Sequence, residues 1–323
     1  MEFGLQLAGG NPQSILKMAR FADEIGLDNV FVPDHFAAEP PGTNQLDPDQ
    51  PVWEAMTMLG AMAASTTKIQ IGALVLCNLF RHPATTAQAT ATLDHISQGR
   101  AILGLGSGWT KAEFDMTGVP FPEIKARLRQ LDEALEVIGS LWDRDRTSLD
   151  GEFYQLKEAF IAAKPVRRPP ILLGGSGKGL LRIAARHADI VNIIVDTGRA
   201  GTVVLEEVAK LREENFLRKA EFLQTEAEKH GRSPKISTTG FMTTLTNTEE
   251  EAAKMTQAVA GGFGLEPAIA CKMPIALIGT PEQWVAELKR REKEWGLAHM
   301  VLSGSMDRPS LERFAKEVLP HVR

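Results

Sequence analysis

Residues 169–192 read PPILLGGSGKGLLRIAARHADIVN, and this stretch decides the fold. Residues 170–173 are a short apolar run of strand type, and 190–194 are another. Between them lie the glycine-rich turn Gly174-Gly175-Ser176-Gly177-Lys178-Gly179 and a helix over 179–187. Apolar strands that do not alternate with polar residues, joined by a helix, imply a parallel sheet covered by helices.

The same rhythm runs outward in both directions. Upstream, 3–7, 29–33, 69–76 and 101–106 read as strands. Helices fall at 12–25, 52–64 and 84–96, and Leu128, Leu131, Leu135, Ile138 and Trp142 mark a fourth. A hairpin is expected around Asp150-Gly151. Downstream come a long charged helix through 203–229, a strand at 235–241, helices at 248–259 and 281–295, a strand at 298–302 and a closing helix at 310–319. Eight strands, nearly all followed by a helix, predict an α/β chain folded as one (β/α)8 TIM barrel over 1–323. Residues 36–51 and 260–275 break the rhythm and are expected as insertions at strand ends, where barrel active sites sit.

Composition narrows the function. Among 323 residues, 36 Lys and Arg against 41 Asp and Glu give a net charge of −5, without the basic surplus of a nucleic-acid binder. At 43% hydrophobic and 24% charged, the chain has the makings of a large core and not of a disordered segment. No apolar run approaches the roughly 18–20 residues of a membrane span. The start MEFGLQLAGG has no basic and apolar leader regions, and Cys77 and Cys271 stand too far apart for a C-x-x-C. A cytoplasmic protein is expected. No histidine pair has metal-binding spacing, so no metal site is assigned.

Chemistry is sought just past the strand ends. After strand two, Asp34 and His35 stand together; an imidazole there exchanges protons near neutral pH, or is a loop histidine satisfied by backbone with Asp34 as a helix cap. After strand three come Cys77, Asn78 and Arg81; the arginine positions an anion or pairs with a carboxylate. Strand four ends in GLGSGW at 104–109, whose alternate glycines admit either a flat ligand or another backbone. After strand five, glycine-freed amides at a helix start, with Lys178 beside them, read as an anion site.

These places in this order, PDHF at 33–36, FRHP at 80–83, TLDHISQGR at 92–100, GLGSGW at 104–109 and the opening stretch, resemble the bacterial luciferase-like oxidoreductase superfamily. IGTPEQWVAEL at 278–288 and GLAHMVLSG at 296–304 extend the likeness over nearly the whole chain. The resemblance implies a barrel carrying FMN or the deazaflavin coenzyme F420, and the pattern looks closer to the F420-dependent branch. It implies a non-proline cis peptide between Leu74 and Val75, pressed on the cofactor ring. Asp34 and His35 become catalytic residues, with Asp34 also on the cofactor. Cys77, Ser107, Gly108, Gly174, Gly175, Ser176, Gly177 and Lys178 become cofactor contacts. Phe36, Trp53, Trp109 and Glu113 are assigned to the substrate pocket. The F420-dependent glucose-6-phosphate dehydrogenases carry a catalytic glutamate where this chain has Trp109, so sugar phosphates are not the expected substrate.

The resulting expectation is hydride transfer between F420 and a small, largely apolar organic substrate, with His35 as proton partner. A homodimer, served by an enzyme that reduces F420 or flavin, completes it. The alternatives are an FMN-dependent two-component monooxygenase and a cofactor-binding relative without turnover.

Overall fold

A computed structural model describes residues 1–40, 43, 45–195, 201–202, 204–304 and 306–323. Eight parallel strands close into a barrel: β1 (Glu2–Gln6), β2 (Asn29–Val32), β3 (Gln70–Ala73), β4 (Ala101–Gly106), β5 (Ile171–Gly174), β6 (Ile190–Asn192), β7 (Lys235–Gly240) and β8 (Leu297–Leu302). Closure runs from β1, paired through Glu2 with His299 of β8, around to β4, where Gly104 faces Leu172 of β5. Helices such as Pro12–Glu24, Pro83–Ser97 and Ile124–Asp143 cover the outside. The alternation read from the sequence is therefore a TIM barrel.

Inside, Phe31, Ile102, Leu172, Ile190 and Val301 form an apolar plug, with Leu74 and Val75 packed on it. Beside the plug runs a buried polar string. His299 Nδ1 meets Ser237 Oγ at 2.8 Å, and His299 Nε2 meets Asn29 Oδ1 at 2.9 Å. Asn192 Nδ2 donates to Ser237 Oγ at 2.9 Å, and Thr239 Oγ1 donates to Asn192 Oδ1 at 3.1 Å. Burial pulls the His299 imidazole down to about 4, outweighing the Asp28 carboxylate, which favours the cation.

The third strand departs from its expected span of 69–76. It stops at Ala73, passes through a cis peptide at Leu74–Val75, and resumes as Leu76–Cys77 beside Leu105 and Gly106. The interruption falls where the resemblance placed it.

Three expectations need correction. The long helix at 203–229 is two helices, Leu205–Ala209 and Glu213–Glu228; its first residue lies outside the described residues. Leu211 breaks it by turning into a separate apolar cluster with Val195, Val208, Met273 and Ile275. The strand at 235–241 ends at Gly240, and Met242–Leu245 forms a second parallel ladder with Ala276–Gly279. The break at 260–275 is half helical, completing Glu249–Phe263 and adding Pro267–Ala270. The other insertion, 36–51, pairs Ala37–Ala38 with Asp47–Pro51; its positions 41, 42 and 44 lie outside the described residues.

Candidate active site

The ends of β2 and β3 are tied together by one carboxylate. Asp34 Oδ2 accepts from the Cys77 amide at 2.8 Å and from Arg81 Nη1 at 2.7 Å, while Oδ1 accepts from Arg81 Nη2 at 2.8 Å. Arg81 Nη2 reaches on to Glu54 Oε1 at 2.6 Å. Burial pulls the guanidinium down, but Asp34 and Glu54 outweigh it and hold the charge more firmly than usual. Glu54 is brought to about 2: partial burial raises it, and the Thr57 amide and Arg81 lower it further. Asp34 was expected to act in catalysis and on the cofactor. Both its oxygens are engaged by the planar fork of Arg81 in a site only 6% exposed, which ties the two strand ends together. It does not cap a helix.

His35 is held from behind. Its Nδ1 stands 2.9 Å from Glu113 Oε2, and Glu113 Oε1 accepts from the Phe36 amide at 2.5 Å. The imidazole is about a quarter exposed, and its Nε2 finds no hydrogen-bond partner among the described residues. Trp109 meets the ring edge-on, with centroids 5.4 Å apart. Glu113 was assigned to the substrate pocket, but at 1% exposure it lies beneath the wall and belongs to His35. Phe36 is half exposed and packs on Phe80, which packs in turn on Phe114. Phe80 thus joins the apolar rim, a residue quoted in FRHP at 80–83 but given no role there. Trp53 donates to Gly10 O at 2.9 Å and lines a shallow pocket with Leu7, Val32 and Pro33.

The alternate glycines of β4 serve a backbone and a side chain of the protein itself. A Cβ at Gly104 would lie 1.8 Å from the Ala73 carbonyl oxygen, and one at Gly106 would lie 2.7 Å from a Val75 methyl. A Cβ at Gly174, on the neighbouring strand, would come within 3.2 Å of Val75. The bulge side chain therefore sits in a socket made by three glycines, half exposed at the mouth of the lumen. Gly108 adopts a left-handed φ of +76°, with Cys77 Sγ and Phe114 too close for any side chain, and half-buried Ser107 precedes it. Burial pushes the Cys77 thiol up to about 12, so it forms a neutral wall and not a nucleophile. Arg127, buried beneath, donates to the Gly108 carbonyl and lies 4.0 Å over Phe121.

After β5 the chain turns through Gly175, at φ +138°, into the helix Lys178–His187. Gly177 precedes this helix without a side-chain cap, so its first amides are donors in want of an acceptor. Ser176 is buried and its Oγ accepts from Lys219 Nζ at 2.8 Å. Lys178, expected as a cofactor contact at the edge of this loop, is exposed, with its ammonium 5.4 Å from the Phe222 ring. Among the described residues, the ammonium that reaches this loop is that of Lys219, delivered by Glu213–Glu228 and hidden in the sequence among that helix's many charges. Lys219 also lines a cavity of about 230 Å³ with Val195, Lys210, Leu211 and Asn215. Uncapped amides, a hydroxyl and an ammonium suit a phosphate, and half-exposed Leu74 and Val75 suit a flat ring, so these residues fit the cofactor the resemblance implies.

An eight-stranded barrel with its polar equipment gathered at the C-terminal rim is the architecture of the luciferase-like proteins. The profile of luciferase-like monooxygenases matches residues 2–298, and the chain belongs to that family. A relative from Amycolatopsis mediterranei (strain U-32), named F420-dependent glucose-6-phosphate dehydrogenase, is 29% identical over 97% of this chain and 95% of its own. One of the same name from Kineococcus radiotolerans is 37% identical over 55% of this chain and 51% of its own. Among solved structures, an F420-dependent secondary alcohol dehydrogenase in complex with an F420–acetone adduct superposes with a TM-score of 0.78 at 21% identity. It covers 100% of this chain and 99% of its own.

Proposed function

We propose that this protein is an F420-dependent oxidoreductase that interconverts a small, uncharged secondary alcohol or comparable carbinol with its carbonyl form. The observation that carries the reading is His35: an imidazole at the barrel mouth with one nitrogen held by a buried carboxylate and the other without a hydrogen-bond partner among the described residues. When bound, F420 supplies a carbon that accepts or returns a hydride.

The chain's own residues do the rest. Val75, with Leu74, offers the ring an apolar bed at the lumen mouth, and the 174–177 loop with Lys219 holds the phosphate end. In the oxidising direction the carbinol would give up its C–H pair as hydride, the acceptor chemistry that F420 would supply when bound. The hydroxyl proton passes to His35 Nε2, and the oxygen's freed pair closes the C=O bond. In the reducing direction His35 returns that proton. Phe36, Phe80 and Trp109 give the rim its apolar character.

Charge distribution argues for an uncharged substrate. Arg81 is engaged by Asp34 and Glu54, Lys111 by Asp115, and Arg127 by the Gly108 carbonyl. Among the described residues, these three cations of the rim are spoken for, which disfavours a sugar phosphate. A cytoplasmic homodimer, supplied with reduced F420 by a separate reductase when it runs toward the alcohol, completes the reading, and light scattering on the purified protein checks the dimer.

The test is anaerobic reduction of F420 by a panel of secondary alcohols, with glucose 6-phosphate included. Turnover is expected with one or more apolar alcohols and not with the phosphate. His35→Ala should cut it by roughly 10²–10⁴-fold while cofactor affinity changes little. Turnover with glucose 6-phosphate alone, or a His35→Ala enzyme of undiminished rate, would sink the proposal.

A further inference from the structure

We propose that Glu113 is a positioning residue that fixes His35 in its Nδ1–H tautomer, so that Nε2 presents a lone pair to the substrate. The proposal rests on the reading of His35 as proton partner, and it begins with an accounting of donors and acceptors. Glu113 is 2% exposed at its side chain, so water does not contribute. Its Oε1 accepts from two backbone amides, Phe36 at 2.5 Å and Ala37 at 3.4 Å, and a backbone N–H can only donate. Its Oε2 faces His35 Nδ1 at 2.9 Å.

A carboxylate has only acceptor sites, so the proton between these atoms sits on Nδ1. The neutral ring then carries no hydrogen on Nε2, the nitrogen that opens on the rim. That is the form needed to take a proton from an alcohol. The opposite tautomer would set two lone pairs face to face and leave the buried Glu113 Oε2 without a donor, which is costly.

The arrangement makes a sharp distinction between two nearly isosteric residues. A glutamine at this position has one oxygen and one NH₂. The Phe36 amide requires the oxygen, which turns the NH₂ toward Nδ1. His35 must then accept at Nδ1 and carry its hydrogen on Nε2. Glu113→Gln should therefore reverse the tautomer while filling the same space. Glu113→Asp, with acceptors only, should leave the tautomer unchanged even though its reach is shorter.

The test needs no cofactor. Protein labelled with ¹⁵N at histidine is observed at about pH 8, above the usual titration range of an imidazole, where the two ring nitrogens distinguish the tautomers. The expected result is Nδ1–H for the parent and for Glu113→Asp, and Nε2–H for Glu113→Gln. Nε2–H in the parent, or an unchanged tautomer in Glu113→Gln, overturns the proposal. In the loaded enzyme Glu113→Gln should lower kcat for alcohol oxidation by about 10²-fold or more with KM nearly unchanged, and Glu113→Asp should restore part of it. A reversed tautomer without loss of kcat would refute the proton role of His35 and leave the tautomer assignment intact, so the two claims fail separately.

Discussion

The glycine socket around Val75 makes a quantitative prediction. In Gly106→Ala the new methyl would lie 2.7 Å from a Val75 methyl, whereas ordinary contacts begin near 3.4 Å. Either side chain or strand must give by most of an ångström, and overpacking of that kind costs about 1–3 kcal/mol. In a Val75→Ala background the obstructing methyl is gone. The next Val75 atom is Cβ at 3.9 Å, so the same glycine substitution should cost little. Urea unfolding of the parent, both single variants and the double variant, read as midpoints with a shared slope, closes the cycle. A coupling of about 1–3 kcal/mol is expected, with F420 affinity lost in Gly106→Ala and largely recovered in the double variant. Effects that add to within about 0.5 kcal/mol would show that Gly106 is not there for Val75. Affinity lost equally in both backgrounds would mean that the glycine meets the ligand directly.

Further expectations concern charge. Asp34→Asn removes the fork under Arg81 in a largely buried pair and should cost about 3 kcal/mol, read by the same unfolding assay; a neutral outcome would deny the tie. His299 titrates at about 4 when folded against an ordinary 6.5, so the unfolded chain takes up the proton first on acidification. The stability this residue contributes is therefore complete above about pH 6.5 and falls by about 3 kcal/mol down to about pH 4. His299→Gln should flatten that slope, and an unchanged slope would assign it to another group. Lys219→Met, which loses a charge-assisted hydrogen bond, should weaken F420 binding by about 10–100-fold, whereas Lys178→Ala should leave it nearly unchanged. The reverse order, measured by fluorescence titration, would restore Lys178 to the phosphate site.

The barrel was legible because its signals are local. Each strand is a short apolar run bounded by turn residues, and 101–106 and 281–295 were bounded to the residue. Ala276–Gly279 escaped because four residues leading into a capped helix carry no period of their own. The split at Leu211 depends on which distant apolar cluster captures one side chain. In the site, residue types were easier to read than partners. Asp34 and Glu113 were both singled out, yet what each does follows from Arg81, 47 residues along the chain, and His35, 78 residues back. Arg100 illustrates the same limit inside the motif at 92–100: it donates to Ala63, Thr66, Ile69 and Ser97, and so braces the barrel instead of touching the rim. Asp94 in that motif likewise accepts from the Arg167 amide at 2.9 Å, a structural tie and not chemistry.

The most direct measurement is an equilibrium titration of the purified apo-protein with F420 and with FMN, repeated on Gly175→Val. A Cβ at Gly175 would press to 2.5 Å of Leu180 and need an unfavourable φ, so this variant deforms the loop where the phosphate is placed. The account predicts saturable binding that favours F420 over FMN, lost in Gly175→Val while the fold persists by circular dichroism. Preference for FMN, or F420 binding undiminished in a folded Gly175→Val, would contradict it.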